Sequence, residues 1–175
     1  GVNVPVDSRL PGGGGGVLDG LYNVTSAAFA RGNNNFVTLD RNYSDGQTQV
    51  TNSVYLNASA RARGGLMVQG GFNAWTTHAD SCAVRALLPE TSPTTPWCDT
   101  STGWQVRATG LASYQLPKID VQVSGTIRSD QPNALAANWT APNSATVGLN
   151  RAFVGTAGQT ITVNLVGPGT LYGDR

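Results

Sequence analysis

The sequence SVYLNASARAR (residues 53–63) alternates strictly between apolar and polar side chains. A period of two residues is typical of a β-strand that has one apolar and one polar face. Three further segments follow the same pattern: LMVQGGFNA (66–74), QVRATGLASY (105–114) and IDVQVSGTIR (119–128). We therefore predict four long strands between Gln47 and Asp130, arranged as two hairpins.

The predicted strands share one face without any charge and one face that carries charges. The uncharged face holds Val54, Leu56, Ala58, Ala60, Ala62, Leu66, Val68, Gly70, Phe72, Ala74, Val106, Ala108, Gly110, Ala112, Tyr114, Ile119, Val121, Val123, Gly125 and Ile127. The opposite face holds Arg61, Arg63, Arg107, Asp120 and Arg128. Contact with lipid requires an uncharged face, whereas a face that carries charges requires contact with water.

The links between the predicted strands differ in length. Gly64-Gly65 and Leu116–Lys118 are tight, whereas His78–Gly103 is long. Bacterial outer-membrane barrels combine short turns at one end with long loops at the other. A soluble sandwich predicts the same alternation of side chains. The predicted fold class is all-β: an antiparallel meander of long amphipathic strands with long loops, part of an outer-membrane-type β-barrel, with a soluble β-sandwich as the alternative.

We predict a single β-rich segment over residues 1–175, made of three parts: a loop-rich part with short strands (1–46), the four-strand meander (47–130), and a long loop with a last strand (131–175). Short strands are predicted at Leu18–Val24 and Phe36–Tyr43, and the last strand at Thr160–Val166. The chain begins Gly1-Val2-Asn3 without methionine. We therefore expect either a processed chain or a piece of something longer.

The composition limits the possible partners. Only 12% of the residues are charged, about half the usual share for soluble domains. The net charge is +1 and the arginines are spread along the chain, so we predict no nucleic-acid partner. No run of eighteen or more apolar residues occurs, and no transmembrane helix is predicted.

Cys82 and Cys98 enclose fifteen residues that are rich in proline and threonine. In a chain without other cysteines, we predict that they form a disulfide in an oxidising compartment. His78, Asp80 and Cys82 share one face of an extended strand, as the ligands of a small metal site would. This ligand set is incomplete and Cys82 is better used in the disulfide, so no metal site is predicted.

No reactive constellation is recognisable. His78 is the single histidine, and no Gly-x-Ser-x-Gly motif accompanies it. We predict no enzyme and no cofactor. Trp75, Trp97 and Trp104 lie in or beside the long link, where they are candidate ligand-binding residues that stack on sugars or peptides. The same tryptophans also fit loop packing or the aromatic girdle of a membrane interface, which is the interpretation we favour.

Several motifs carry a family resemblance: VQGG (68–71), DSCAVR (80–85), LPE (88–90), WC (97–98), PKIDVQVSGT (117–126), AANW (136–139), VNL (163–165) and GTLYGDR (169–175). Together they resemble the C-terminal barrel region of large TonB-dependent receptor-like proteins with a carboxypeptidase-regulatory-like N-terminal domain, common in soil bacteria such as acidobacteria. The resemblance extends from Val4 to Arg175.

The resemblance implies a barrel-wall segment in the bacterial outer membrane that serves the uptake of a bulky nutrient. Its partners would be outer-membrane lipid, further barrel strands or copies of itself to complete the sheet, and a glycan or other bulky ligand. These residues hold no plug and no energy-coupling box, so complete transport is not implied for them alone. Two alternatives stay open: a soluble secreted β-module that binds carbohydrate or acts in adhesion, and a structural subunit of a filament or larger assembly.

Overall fold

The four predicted strands form in the computed structural model, which describes residues 1–155 and 159–173. The fold is all-β and antiparallel, with short helices only in the connections. The strands are β1 (Val2–Asn3), β2 (Val17–Leu18), β3 (Thr48–Arg61), β4 (Leu66–Asp80), β5 (Asp99–Ser101), β6 (Gln105–Leu116), β7 (Val121–Ser129), β8 (Asn138–Pro142) and β9 (Thr160–Asn164). The α-helices are α1 (Ser26–Ala30) and α2 (Cys82–Leu87), and 3-10 turns lie at Pro11–Gly13, Asp40–Asn42, Pro89–Thr91 and Asn143–Ala145.

The main sheet is a meander in the order β3-β4-β6-β7, as the alternation predicts. Leu56 pairs with Phe72, and Phe72 pairs in turn with Ala108. Directly opposite residues in antiparallel strands point to the same face. The register therefore places the apolar stripes of all four strands on one face, which confirms the predicted faces within the strands. Ala62, Ile119 and Asp120 were predicted to lie on strand faces but lie outside the strands, because β3 ends at Arg61 and β7 begins only at Val121 after a turn over residues 117–120. The two other pairs, β1-β2 and β8-β9, are small separate sheets.

A bulge lies between β5 and β6, the two strands that pair with the same side of β4. β4 pairs with β6 as far as Trp75↔Gln105, and with β5 from His78↔Ser101 onward. Two residues of β4 therefore face three residues, 102–104, which is the geometry of a β-bulge. The hydroxyl of Thr102 accepts a hydrogen bond from the backbone N–H of Thr77 at 2.9 Å. β5 thus extends the pairing of β4 beyond the end of β6.

The long connections all leave the sheet at the end opposite the tight turns, and we call them the loop layer (residues 1–47, 81–104, 130–155 and 159–173). Most of the buried apolar side chains lie there and not on the main sheet. Val2, Ala141 and Val163 are at most 1% exposed, and Phe153 is also buried. The fold therefore has a small core among its loops and a sheet outside that core.

The short strands of the first part were predicted less well than the meander. Residues 36–43 form no strand, and only Val17–Leu18 pairs in place of Leu18–Val24. A helix, α1, forms between them because Thr25 accepts a hydrogen bond from the backbone N–H of Ala28, which caps its first turn. The predicted last strand is confirmed by β9, but its partner β8 lies in a segment predicted as loop. Within the described residues, no helix is long and apolar enough to cross a membrane.

The tight turn between β3 and β4 yields a test of the meander. Gly64 and Gly65 have positive φ angles of 92° and 87°, a region that costs a residue with a side chain about 1–2 kcal/mol. A Cβ atom at Gly65 would lie 3.1 Å from the Cβ of Gln115, whereas one at Gly64 meets nothing within 4 Å. We expect Gly65→Ala to lower the free energy of unfolding more than Gly64→Ala in urea denaturation. Equal losses would show that the β4-β6 register at this turn is wrong.

Candidate functional site

One face of the meander, the apolar face, carries only uncharged and mostly aliphatic side chains. It consists of Val54, Leu56, Ala58, Ala60, Leu66, Val68, Gly70, Phe72, Ala74, Val106, Ala108, Gly110, Ala112, Tyr114, Leu116, Val121, Val123, Gly125 and Ile127. The described part of the chain leaves most of this face uncovered. Leu56 is 62% exposed, Val123 56% and Ile127 77%. Such a patch is typical of an interaction surface for a partner or a membrane.

The apolar face has a limited height. On β4 it runs from Leu66 to Ala74, and beyond that point the same face carries Thr76, His78 and Asp80. Nine residues at about 3.3 Å each and a strand tilt of about 40° give a band roughly 23 Å tall, close to the ~25 Å apolar band of outer-membrane barrels. β4 continues past the band, where Thr76, His78 and Asp80 pair with residues 52, 50 and 48 of β3.

Aromatic residues lie at both ends of the band on β6. Tyr114 lies near the tight turns, and Trp104 directly precedes Gln105 at the opposite end. Tyr114 lies on the apolar face, whereas Trp104 lies in the bulge before β6 and is 58% exposed. Aromatic girdles at both edges of an apolar band are characteristic of membrane barrels. This arrangement accords with the girdle interpretation of Trp104.

The opposite face, the polar face, is rich in amide and hydroxyl groups. Its middle contains a depression of about 570 Å³ whose lining includes Asn57, Gln69, Thr109, Thr126 and Arg128. Gly71 forms part of the floor, since a Cβ atom there would lie 2.5 Å from Oδ1 of Asn57. The face therefore offers many hydrogen-bonding groups at a concave surface, which polar ligands require.

Three charged residues form an ion cluster where the polar face meets the loop layer. Nε of Arg107 lies 2.6 Å from Oδ1 of Asp130, and Nε of Arg128 contacts the other carboxylate oxygen. Partial burial by itself raises the pKa of Asp130, but the hydrogen bond from Arg128 and the two positive charges outweigh it, so the pKa is lowered. The carboxylate stays ionised and holds the ends of β6 and β7 together.

A second cavity of about 340 Å³ lies at the rim of the polar face. Its lining includes Trp75, Arg107, Asn133 and Tyr172, and Nε2 of Gln105 donates to the hydroxyl of Tyr172 at 2.5 Å. An aromatic ring, a guanidinium and amide groups thus meet in one place. Of the three tryptophans predicted as ligand-binding, Trp75 is the one that lines this cavity.

The structure does not bring the three tryptophans together. The indole N–H of Trp97 donates to the backbone carbonyl of Asn164 at 3.1 Å, which fastens the long link to β9. Trp75 pairs with Gln105 on the polar face, whereas Trp104 lies in the bulge before β6. Their role in ligand binding stays a prediction.

The predicted disulfide Cys82–Cys98 is present, with its Cα atoms 4.8 Å apart. It links the first residue of α2 to the residue before β5, and the backbone N–H of Cys82 donates to Oδ1 of Asp80 at 2.8 Å. His78 turns to Asp99, with Nδ1 and Oδ1 3.5 Å apart. His78 thus contacts Asp99, Cys82 is in the disulfide, and in the described ranges no three His, Cys, Asp or Glu side chains cluster as metal ligands.

Sequence reasoning missed the ion cluster and the rim cavity. Asp130 follows Arg128 by two residues, a spacing that places both side chains on the same side of an extended chain. This signal was available in the sequence. Tyr172 is brought to the rim by the fold of the C-terminal loop, for which the sequence has no local signal.

Comparison of the chain with protein-family models, with curated proteins and with solved structures gives no match. The resemblance to TonB-dependent receptor-like proteins therefore rests on the motifs in the sequence.

The ion cluster predicts a pH-dependent contribution to stability. Asp130→Asn leaves Arg107 and Arg128 without their shared partner, so we expect a lower free energy of unfolding at neutral pH. Because the folded pKa of Asp130 is lowered, its stabilisation is present above the unfolded value of about 3.9 and is lost as the pH falls through the folded value. Urea denaturation at neutral and acidic pH should show the difference from wild type closing on acidification.

Asp45→Asn is the matched control, since Asp45 is exposed and has no ion pair within the described residues. It should behave like wild type at both pH values. A loss of stability in Asp130→Asn that persists unchanged at acidic pH would contradict the assigned role of the carboxylate.

Proposed function

We propose that this chain is a wall segment of an outer-membrane receptor that takes up a bulky nutrient. The apolar face contacts lipid, the polar face lines an aqueous lumen, and the loop layer lies at the ligand entrance. The resemblance to TonB-dependent receptor-like proteins supports this proposal. The uncovered apolar face is the observation that carries it.

The size of the apolar face supports lipid contact on energetic grounds. Four strands about 4.8 Å apart, each apolar over about 30 Å, present roughly 500–600 Å². At about 25 cal/mol per Å², covering this face contributes on the order of 10 kcal/mol, comparable to the whole stability of a typical domain. A chain that left this face in water would forgo a stabilisation of that size.

The open edges of the sheet support the same proposal. β3 and β7 each pair on one side only within the described residues. β3 is fourteen residues long, and its unpaired backbone groups form a template for a further strand. In a bilayer every backbone N–H and C=O must be paired, which only further strands can provide at these edges.

The polar face fits the lumen of such a receptor. Its charges within the strands are arginines, and its amides and hydroxyls surround the depression beside Arg128. The rim cavity with Trp75 lies between this face and the loop layer, where an incoming ligand would first meet the wall. A sugar is a ligand that stacks on an indole and hydrogen-bonds amides, which agrees with the glycan expected from the sequence.

A soluble secreted β-module is the second candidate. The loop layer favours it, because this layer has its own core around Val2 and Val163 and a disulfide. A module of this kind would bind its ligand in the rim cavity at Trp75 and would cover the apolar face with another chain. The two candidates differ in what contacts the apolar face.

Adjacent residues on β7 test the proposal. Val123 belongs to the apolar face and Ser124 to the polar face, and both cysteines of the chain are in the disulfide. A cysteine introduced at either position is therefore a unique site for a fluorescent probe. In lipid vesicles we expect Val123→Cys to be quenched by a nitroxide on the lipid chains, and Ser124→Cys to be quenched by aqueous iodide.

The pair serves as its own control, since the two positions have the same depth and differ only in their face. A chain that remains in the aqueous phase as a monomer, with both probes open to iodide, would contradict the wall-segment proposal. Glycan binding by that monomer, lost on Trp75→Ala, would then support the secreted module.

A further inference from the structure

Arg85 is a buried cation in the loop layer. It lies in the last turn of α2 and is 6% exposed. Its Nη2 donates to the backbone carbonyl of Gly20 at 2.5 Å. This bond ties α2 to the N-terminal segment, but it uses one of the five N–H groups of a guanidinium.

Within the described residues, the charge of Arg85 has no ion-pair partner. Its Nη1 is buried without a hydrogen-bond partner, and among the described residues no carboxylate lies within ion-pair distance of it. A guanidinium does not deprotonate in proteins, so burial cannot neutralise it. A buried charge without a partner is costly, and native structures provide an opposite charge or several acceptors.

Arg151 shows what a saturated arginine looks like in the same loop layer. Its Nη1 donates to the side-chain oxygen of Asn23 at 2.9 Å and to the carbonyl of Ala152 at 3.1 Å. Its Nη2 donates to the carbonyls of Asn23 and Val24 at 3.0 and 2.7 Å. Arg151 therefore acts as a structural clamp, whereas Arg85 lacks the acceptors for such a role.

Arg85 borders a cavity of about 550 Å³ between α2 and residues 36–47. Tyr43, Gln47 and Ser92 also line it, and within the described chain their side chains make no hydrogen bond with one another or with other residues. The cavity thus combines a cation with three neutral groups able to donate hydrogen bonds. This volume is in the range of small-ligand sites.

Asp40 is the one carboxylate in the lining, and its oxygens are already used. Oδ1 accepts from the backbone N–H of Arg41 at 2.7 Å, and Oδ2 accepts from that of Gln47 at 3.4 Å. It holds the turn at residues 40–42 and is not paired with Arg85. Within the described lining, Arg85 therefore has no carboxylate as an ion-pair partner.

We propose that this cavity binds a small ligand through an oxyanion, either a carboxylate or a phosphate group. The oxyanion pairs with the guanidinium of Arg85, whose side chain must turn towards the cavity for the buried Nη1 to reach it. Tyr43 and Ser92 donate to the remaining oxygens. Arginine is well suited to this role because its planar fork matches the geometry of carboxylate and phosphate. The site is distinct from the polar face and does not depend on the wall-segment proposal.

Thermal unfolding of the purified chain tests the site, with sodium phosphate or sodium acetate as the probe and chloride to keep the ionic strength constant. We expect either probe at millimolar concentration to raise the Tm of wild type. Arg85→Gln should abolish the shift. Arg31→Gln, an exposed control with the same change in charge, should retain it. Response to phosphate alone assigns a phosphoryl ligand, and response to acetate assigns a carboxylate.

Two milder variants keep the test decisive if Arg85→Gln does not fold. Ser92→Ala and Tyr43→Phe each remove one hydroxyl. Because each variant loses one hydrogen bond to a charged group, we expect each to raise the apparent Kd for the active anion about tenfold. The proposal is overturned if wild type responds to neither anion, if Arg85→Gln shifts like wild type, or if both hydroxyl variants bind as tightly as wild type.

Discussion

The rest of the structure depends on the pairing of four strands whose uncharged apolar stripes share one face. Because opposite residues in antiparallel strands share a face, a single register aligns Leu56, Phe72 and Ala108 across the sheet. A shift by one residue would mix apolar and polar side chains on both faces. The Gly64-Gly65 turn and the Arg107–Asp130–Arg128 cluster hold the register from opposite ends.

The protein separates its internal packing from its exposed sheet. Val2, Ala141 and Val163 pack among the loops, and the Cys82–Cys98 disulfide reinforces that layer. In the entropy model, closing a loop of this length restricts the unfolded chain by roughly 3 kcal/mol. The loop layer thus has its own sources of stability, while the sheet relies on backbone pairing.

The meander was predictable from the sequence because its signal is local: a two-residue period persists over four segments and tight turns join them. The loop layer was not, since its structure depends on contacts between distant residues. Asn23 is fixed by Arg151, and Trp97 by the carbonyl of Asn164, across more than sixty residues in each case. The buried state of Arg85 likewise depends on the Gly20 carbonyl, so no local pattern marks its cavity.

The apolar face and the two open edges pose separate physical problems, and a partner must solve both. A second copy stacked on the apolar face would bury Leu56 and Val123 but would leave the edges of β3 and β7 unpaired. Further strands at the edges pair the backbone but leave the face in water. A barrel wall in a bilayer meets both requirements, because its neighbours pair every edge and the lipid covers the apolar band. On β4 the apolar band ends before Thr76 and His78, as expected where the wall of the proposed barrel leaves the bilayer.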